Sequence, residues 1–147
     1  MKAFRFRLEQ ALQWRGTELN IQKTRAAAAN AKLAGIETAL SRKQLELSSG
    51  AANAVRDATG FGLDSWAGFR RRLSTAISDL EVQILAARKN ADLEAGRLIE
   101  ARRKLRVLEN LQSTAQERWK QEFEHELAAF ADEAFVQGLR SRSRSKQ

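Results

Sequence analysis

The stretch "SSGAANAVRDATGFGLDSW" (residues 48–66) holds Gly50, Gly60 and Gly62 with Ser48, Ser49, Asp64 and Ser65, the one cluster of helix-breaking residues in the chain. On both sides the composition favours helix. There is no proline in 147 residues, where average usage gives roughly seven. Proline removes a backbone donor and breaks helix interiors, so its absence permits long uninterrupted helices. Alanine, leucine, glutamate, glutamine, lysine and arginine dominate, while tyrosine, Asn-Gly and Asp-Gly are missing. Two long helices therefore meet at this stretch, and the fold depends on the chain reversing there.

Periodicity supports the reversal. Leu12, Leu19, Ala26, Leu33, Leu40 and Leu47 recur every seven residues, beside Leu8, Arg15, Gln22, Ala29, Ile36 and Lys43. Alternating steps of three and four place both series on one seam, as in a coiled coil. The stems of Arg15 and Lys43 can cover that seam while their charges reach water. Past the cluster the pattern returns in Trp66, Leu73, Leu80, Ala87, Glu94, Ala101, Leu108 and Ala115, beside Ile77, Ile84, Ala91, Leu98, Leu105, Gln112 and Trp119. After Trp119 come Phe123, Leu127 and Phe130; two successive steps of four break the repeat and change the supercoil locally. These apolar positions read first as core.

The expected architecture is all-α: one domain over 1–147, an antiparallel two-helix coiled-coil hairpin with a longer second helix. Helix 1 is placed at about 5–48, the connector at about 49–64, helix 2 at about 65–138 and a flexible basic tail at 140–147. Asp64 or Ser65 would cap helix 2. Gly60-x-Gly62 lacks the lysine and flanking pattern of a phosphate loop. The simplest register sets Leu47 opposite Trp66, Leu40 opposite Leu73, Leu33 opposite Leu80 and Ala26 opposite Ala87. Small residues there would let the helix axes approach. At ~1.5 Å per residue the helices measure ~65 and ~110 Å, so roughly thirty residues of helix 2 would project past its partner. Trp119, Phe123, Leu127 and Phe130 would then lie uncovered, and exposed aromatics on that scale mark a partner surface.

Charge and missing residue types narrow the function. The chain carries a formal charge of +8, distributed in blocks. Residues 1–47 hold nine basic and four acidic side chains, "RSRSRSKQ" (140–147) adds +4, and 116–133 sums to −4. No single basic cleft results, which weakens a nucleic-acid reading. No cysteine is present, hence no disulfide, thiol nucleophile or thiolate metal site. His125, the one histidine, forms Glu-x-x-His with Glu122, half of a di-metal motif whose other half is missing. A two-helix hairpin has no concave interior from which to exclude water. No enzyme activity, cofactor or metal is expected. No apolar run approaches the ~20 residues of a membrane span, and Arg5, Arg7 and Glu9 interrupt any secretory signal. A soluble, unexported chain is expected.

"FRFRLEQALQWR" (4–15) resembles the N-terminal signature of the flagellar FliJ family, with Phe4, Phe6, Leu8, Leu12 and Arg15 at its Phe-x-Phe-x-Leu, Leu and Arg positions. In "GFRRRLSTAISDLE", Phe69, Leu73, Ala76 and Ile77 resemble the family's segment after the hairpin turn. "RRKLRVLENLQSTAQERW" and "FADEAF" resemble its basic run, Leu-Glu-x-Leu segment and late Asp-Glu. The likeness runs over nearly the full length. It implies a non-enzymatic stalk of the flagellar type III export ATPase, cytoplasmic and peripherally associated with the inner face of the membrane at the flagellar base. The termini would enter the hexameric ATPase ring through Phe4, Phe6, Trp119, Phe123, Leu127 and Phe130. The hairpin end would contact the membrane export gate through Phe69, Leu73, Ala76 and Leu80, and also handle export chaperones. Phe4 and Phe6 would close the open end as an apolar clasp near Leu108 and Leu111. Two other readings stand beside this one: the equivalent stalk of a virulence secretion system, and a basic coiled coil binding nucleic acid through Arg70, Arg71, Arg72, the 102–106 cluster and the tail.

Overall fold

The computed structural model describes residues 3–56 and 60–144, except for the side chain of Phe61. Among them are two helices and no strand: α1, Glu9–Arg56, and α2, Gly60–Arg144. They pack on each other as a two-helix hairpin with the longer helix second. The breaker cluster interrupts far less of the chain than its composition implies. α1 continues to Arg56 rather than ending near 48, and α2 begins at Gly60 rather than near 65. Asp64 and Ser65 thus lie inside α2 and cap nothing. Residues 57–59 lie outside the described residues. No described glycine has a positive φ, so none serves as a left-handed turn residue. Gly60 opens α2, a position that glycine tolerates.

The chain groups into two compact units, Glu18–Ala101 and a second made of Met1–Thr17 with Arg102–Gln147. In the first, the buried side chains are Leu19, Gln22, Ala26 and Ala29 of α1 with Leu73, Ile84, Ala87, Ala91, Glu94 and Ala101 of α2. All are seam positions of the heptads. Small residues at 26, 29, 87 and 91 let the backbones approach closely. One layer is polar. Gln22 Nε2 donates to the Glu94 carbonyl at 3.2 Å and to its Oε2 at 2.5 Å, while Arg97 Nη1 donates to Oε1 at 2.9 Å. Both carboxylate oxygens are satisfied, so a residue only 9% exposed is held without an orphaned charge.

The register differs from the simplest one. Trp66 lies on Gly50 rather than Leu47, and Glu94 meets Gln22. Both are displaced by three residues, which moves the partner of the Trp66 series from the Leu47 seam series to the Gln22 series. Two causes are visible. The indole occupies the space that a Cβ at Gly50 would need, so the bulkiest seam residue sits on a seam glycine. The displacement also joins the two buried polar residues of the seam, Gln22 and Glu94, each of which would otherwise face apolar neighbours.

In the second unit residues 3–6 precede the helix, and α1 starts four residues later than expected. The Glu9 N–H donates to the Phe6 carbonyl at 3.2 Å, and the Leu12 N–H to Leu8 at 2.9 Å. Glu9 in the first turn suits the positive end of the helix dipole. Leu12 and Arg15 of α1 and Leu105, Leu108, Gln112, Ala115, Trp119 and Phe123 of α2 are half-buried. Gln112 Nε2 donates to Glu9 Oε2 at 3.2 Å. The Arg15 guanidinium lies 4.7 Å from the Trp14 ring centroid, stacking its charge on an aromatic face. Beyond Phe123, every residue of 124–144 is exposed and helical. The expected flexible tail is thus helical as far as Arg144, its hydroxyls bonded back to the backbone: Ser141 to Gly138 at 2.9 Å and Ser143 to Arg140 at 2.8 Å. Residues 145–147 lie outside the described residues.

Candidate partner-binding surfaces

Six residues were expected on one partner surface, and the structure separates them into two sets. The Phe4 and Trp119 rings lie 6.0 Å apart, tilted at 56°, and Trp119 stacks on Phe123 at 5.6 Å and 7°. Phe6 is half-buried as well. Trp119 and Phe123 are therefore covered within the chain, contrary to expectation, and the clasp meets Trp119 rather than Leu108 or Leu111. A helical ruler underestimates the reach of the N-terminus. Residues 3–6 are not helical, and extended chain advances ~3.3 Å per residue against ~1.5 Å in a helix.

Leu127 and Phe130 form the other set. They lie past the last half-buried position, and Phe130 is 71% exposed. Phe123, Leu127, Phe130 and Ala134 follow steps of four, three and four, so they share one helix face. Phe135, Val136 and Leu139 are exposed too, and sequence reasoning missed them because they fall off the heptad series. Their exposure on a stretch of helix that no other described residue covers is the signal that finds them. Glu122, Glu126 and Glu133, also exposed, share one flank by the same spacing.

The four residues assigned to the hairpin end do not make one surface. Leu73 is 4% exposed and belongs to the core, Leu80 is half-buried on the seam, and Ala76 is half-buried beside it. Phe69, at 37%, is the exposed member; its ring packs 5.7 Å from that of Trp66 at 47°. Heptad spacing explains the difference: Leu73 and Leu80 lie on the seam series, and Phe69 does not. Beside Phe69 run Arg70, Arg71 and Arg72, all exposed, with a groove lined by Trp66, Ala67, Arg70, Arg71, Ser74 and Thr75. Val55 and Leu63 are exposed nearby in sequence, and periodicity gave no notice of them.

Among the described residues, no three acidic or histidine side chains converge to hold a metal ion, and His125 is exposed. Nor is any described helix long and apolar enough to cross a membrane. No family model, curated protein or solved structure matches the chain.

Proposed function

We propose that the protein is a non-enzymatic coupling stalk of a flagellar type III protein export apparatus, working without a cofactor in the cytoplasm at the inner face of the membrane. The observation that carries this reading is the helical segment after Phe123, which presents Leu127, Phe130, Phe135 and Leu139 to solvent with no cover among the described residues. Large apolar side chains on a single helix fit a surrounding socket, because a helix without a neighbour offers contacts on all sides. Large aromatic anchors dominate interface energies. The socket in this reading is the central channel of a hexameric export ATPase, and Phe4, Phe6, Trp119 and Phe123 brace the base of the inserted helix. Phe69 at the hairpin end serves contact with the export gate, and the exposed helix faces serve export chaperones. The N-terminal Phe-x-Phe-x-Leu signature supports the family assignment.

The test is ATP hydrolysis by the purified export ATPase with the full chain, a truncation after Glu124 and a truncation after Leu139, at equal concentration. The first truncation keeps every half-buried residue of its unit, so the hairpin stays folded, and stimulation is lost. The second removes only serines, arginines and the final residues, whose charges are screened over ~8 Å at physiological salt, and stimulation stays near that of the full chain. Equal stimulation by all three proteins would remove the helix end from the ring.

A further inference from the structure

We infer that residues 124–144 of α2 pair antiparallel with the same segment of a second copy of this chain. The inference does not depend on the stalk reading; under that reading the pair is the form that parts before the helix enters a ring. Residues 124–144 make about six helical turns at ~3.6 residues each, and every one of them is exposed. Most of a helix's stability in water comes from packing an apolar face. The face of Leu127, Phe130 and Ala134 is open along this stretch.

The charge along one flank of that face identifies the occupant. At ~100° per residue, Glu122, Glu126, Glu133, Arg140 and Arg144 fall within ~40° of one another around α2. The flank is therefore acidic over 122–133 and basic over 140–144, and no ion pair among the described residues engages any of the five. Two identical helices laid antiparallel bring this flank against itself with its direction reversed, as a two-fold axis requires. The acidic half of each copy then lies along the basic half of the other. A parallel pair instead sets the flank against the opposite one, where Ala131 and Gly138 carry no charge to meet it.

One alignment satisfies both kinds of charge. Glu126 and Arg140 each lie seven residues from Glu133, and Glu122 and Arg144 each lie eleven. A two-fold axis near Glu133 therefore sets Glu126 opposite Arg140 and Glu122 opposite Arg144, twice over. Phe130 and Ala134 straddle the axis and meet their counterparts as large against small in both directions. Glu133 faces its own copy, the one like-charge contact of the flank. A partner helix of a single charge sign would match only half of the flank, whereas a second copy matches both.

The experiment is sedimentation equilibrium of the full chain over a range of concentrations, beside two charge-reversed variants. One carries Glu122→Arg and Glu126→Arg, the other Arg140→Glu and Arg144→Glu. The parent is expected to form a dimer. Each variant alone sets like charges at all four contacts and is expected to dimerise at least about tenfold more weakly, because surface ion pairs become repulsions. An equimolar mixture of the two restores four opposite-charge contacts, so the dimer returns, and its return shows that both variants are folded. Glu133→Gln removes the like-charge contact at the axis and is expected to dimerise more tightly than the parent, a gain that loss of structure does not produce. A mixture that associates no better than either variant alone, or variants that dimerise as the parent does, would overturn the inference. So would a parent that stays monomeric throughout, which would leave the face to a foreign partner. No ATPase enters the measurement, so the pairing and the stalk reading fail separately.

Discussion

In the Glu18–Ala101 unit the seam is rich in alanine, closely approached and pinned by a buried Gln22–Glu94 pair. In the unit of residues 1–17 and 102–147 the same heptads carry larger side chains, yet every described seam residue in it stays half-buried or exposed. The alanines bring the backbones of the first unit close, and Leu19, Leu73 and Ile84 are buried along with them, each at 9% exposure or less, whereas no seam side chain of the second unit reaches that burial. The second unit compensates with a non-helical segment, setting Phe4 over Trp119. Stability is accordingly expected to differ along the chain, with the second unit opening at lower free-energy cost.

The most damaging change should be Leu73→Asp, in the first unit. It places a carboxylate without a partner at a position 4% exposed, at a cost of roughly 3–5 kcal/mol. Thermal melts followed by circular dichroism measure it. A variant melting with the parent would mean that the seam is not the core.

Next comes the polar layer. Gln22→Ala removes the donor on Glu94 Oε2 and should cost about 1–3 kcal/mol. The double variant Gln22→Leu, Glu94→Leu should recover or exceed the parent, because an apolar pair needs no desolvated charge. It should also lose the single register, since a polar pair in a seam specifies alignment at some expense of stability. Spin labels on α1 and α2 would then give more than one distance. A single distance in the double variant would show that Gly50 and Trp66 alone set the register.

Phe4→Ala tests the other side of the comparison. It removes one aromatic contact worth about 0.5–1.5 kcal/mol beyond its area and should leave the Glu18–Ala101 unit unchanged. Amide exchange would show faster opening near Trp119 and no change near Glu94. Protection lost equally in both units would break the distinction between them.

Gly50→Ala should have the smallest effect on stability. The added Cβ meets the outer edge of the Trp66 ring, a side chain able to rotate away. Alanine also gains about 1 kcal/mol of helix propensity over glycine. The expected result is a melting temperature near the parent's with a changed Trp66 emission. Unchanged emission would mean that the ring does not lie on Gly50.

The heptads disclosed the hairpin and its seam because burial in a two-helix pair follows sequence period directly. Gln22, Ala29, Ala87 and Glu94 all lie on the predicted series and are buried. What periodicity does not carry is the offset between series, since a shift of three residues leaves each seam facing a seam. That offset depends on Trp66 meeting a residue without a Cβ, a contact between positions that no local pattern connects. Helix ends were misplaced for a related reason: glycine and serine disfavour helix only weakly, and packing of Trp66 on Gly50 outweighs them. At the candidate surfaces Phe130 and Leu127 were legible from the broken repeat. Leu73 was misassigned because resemblance marks a position without saying which way its side chain turns.

The Gln22–Glu94 bond joins residues 72 apart, and the Glu9–Gln112 bond joins residues 103 apart, whereas Gly50 and Trp66 are near neighbours in the chain. Closing a loop costs more entropy as it lengthens, so the cheapest first contact is Trp66 on Gly50. Folding then proceeds as a zipper from the turn, each layer shortening the loop left for the next. α1 leaves the ribosome with its alanine seam unpaired and waits for α2 to return along it. Phe4, synthesised well before Trp119, finds it only at the end. Pulsed amide labelling should therefore show protection near Trp66 before Glu94, and near Glu94 before Trp119.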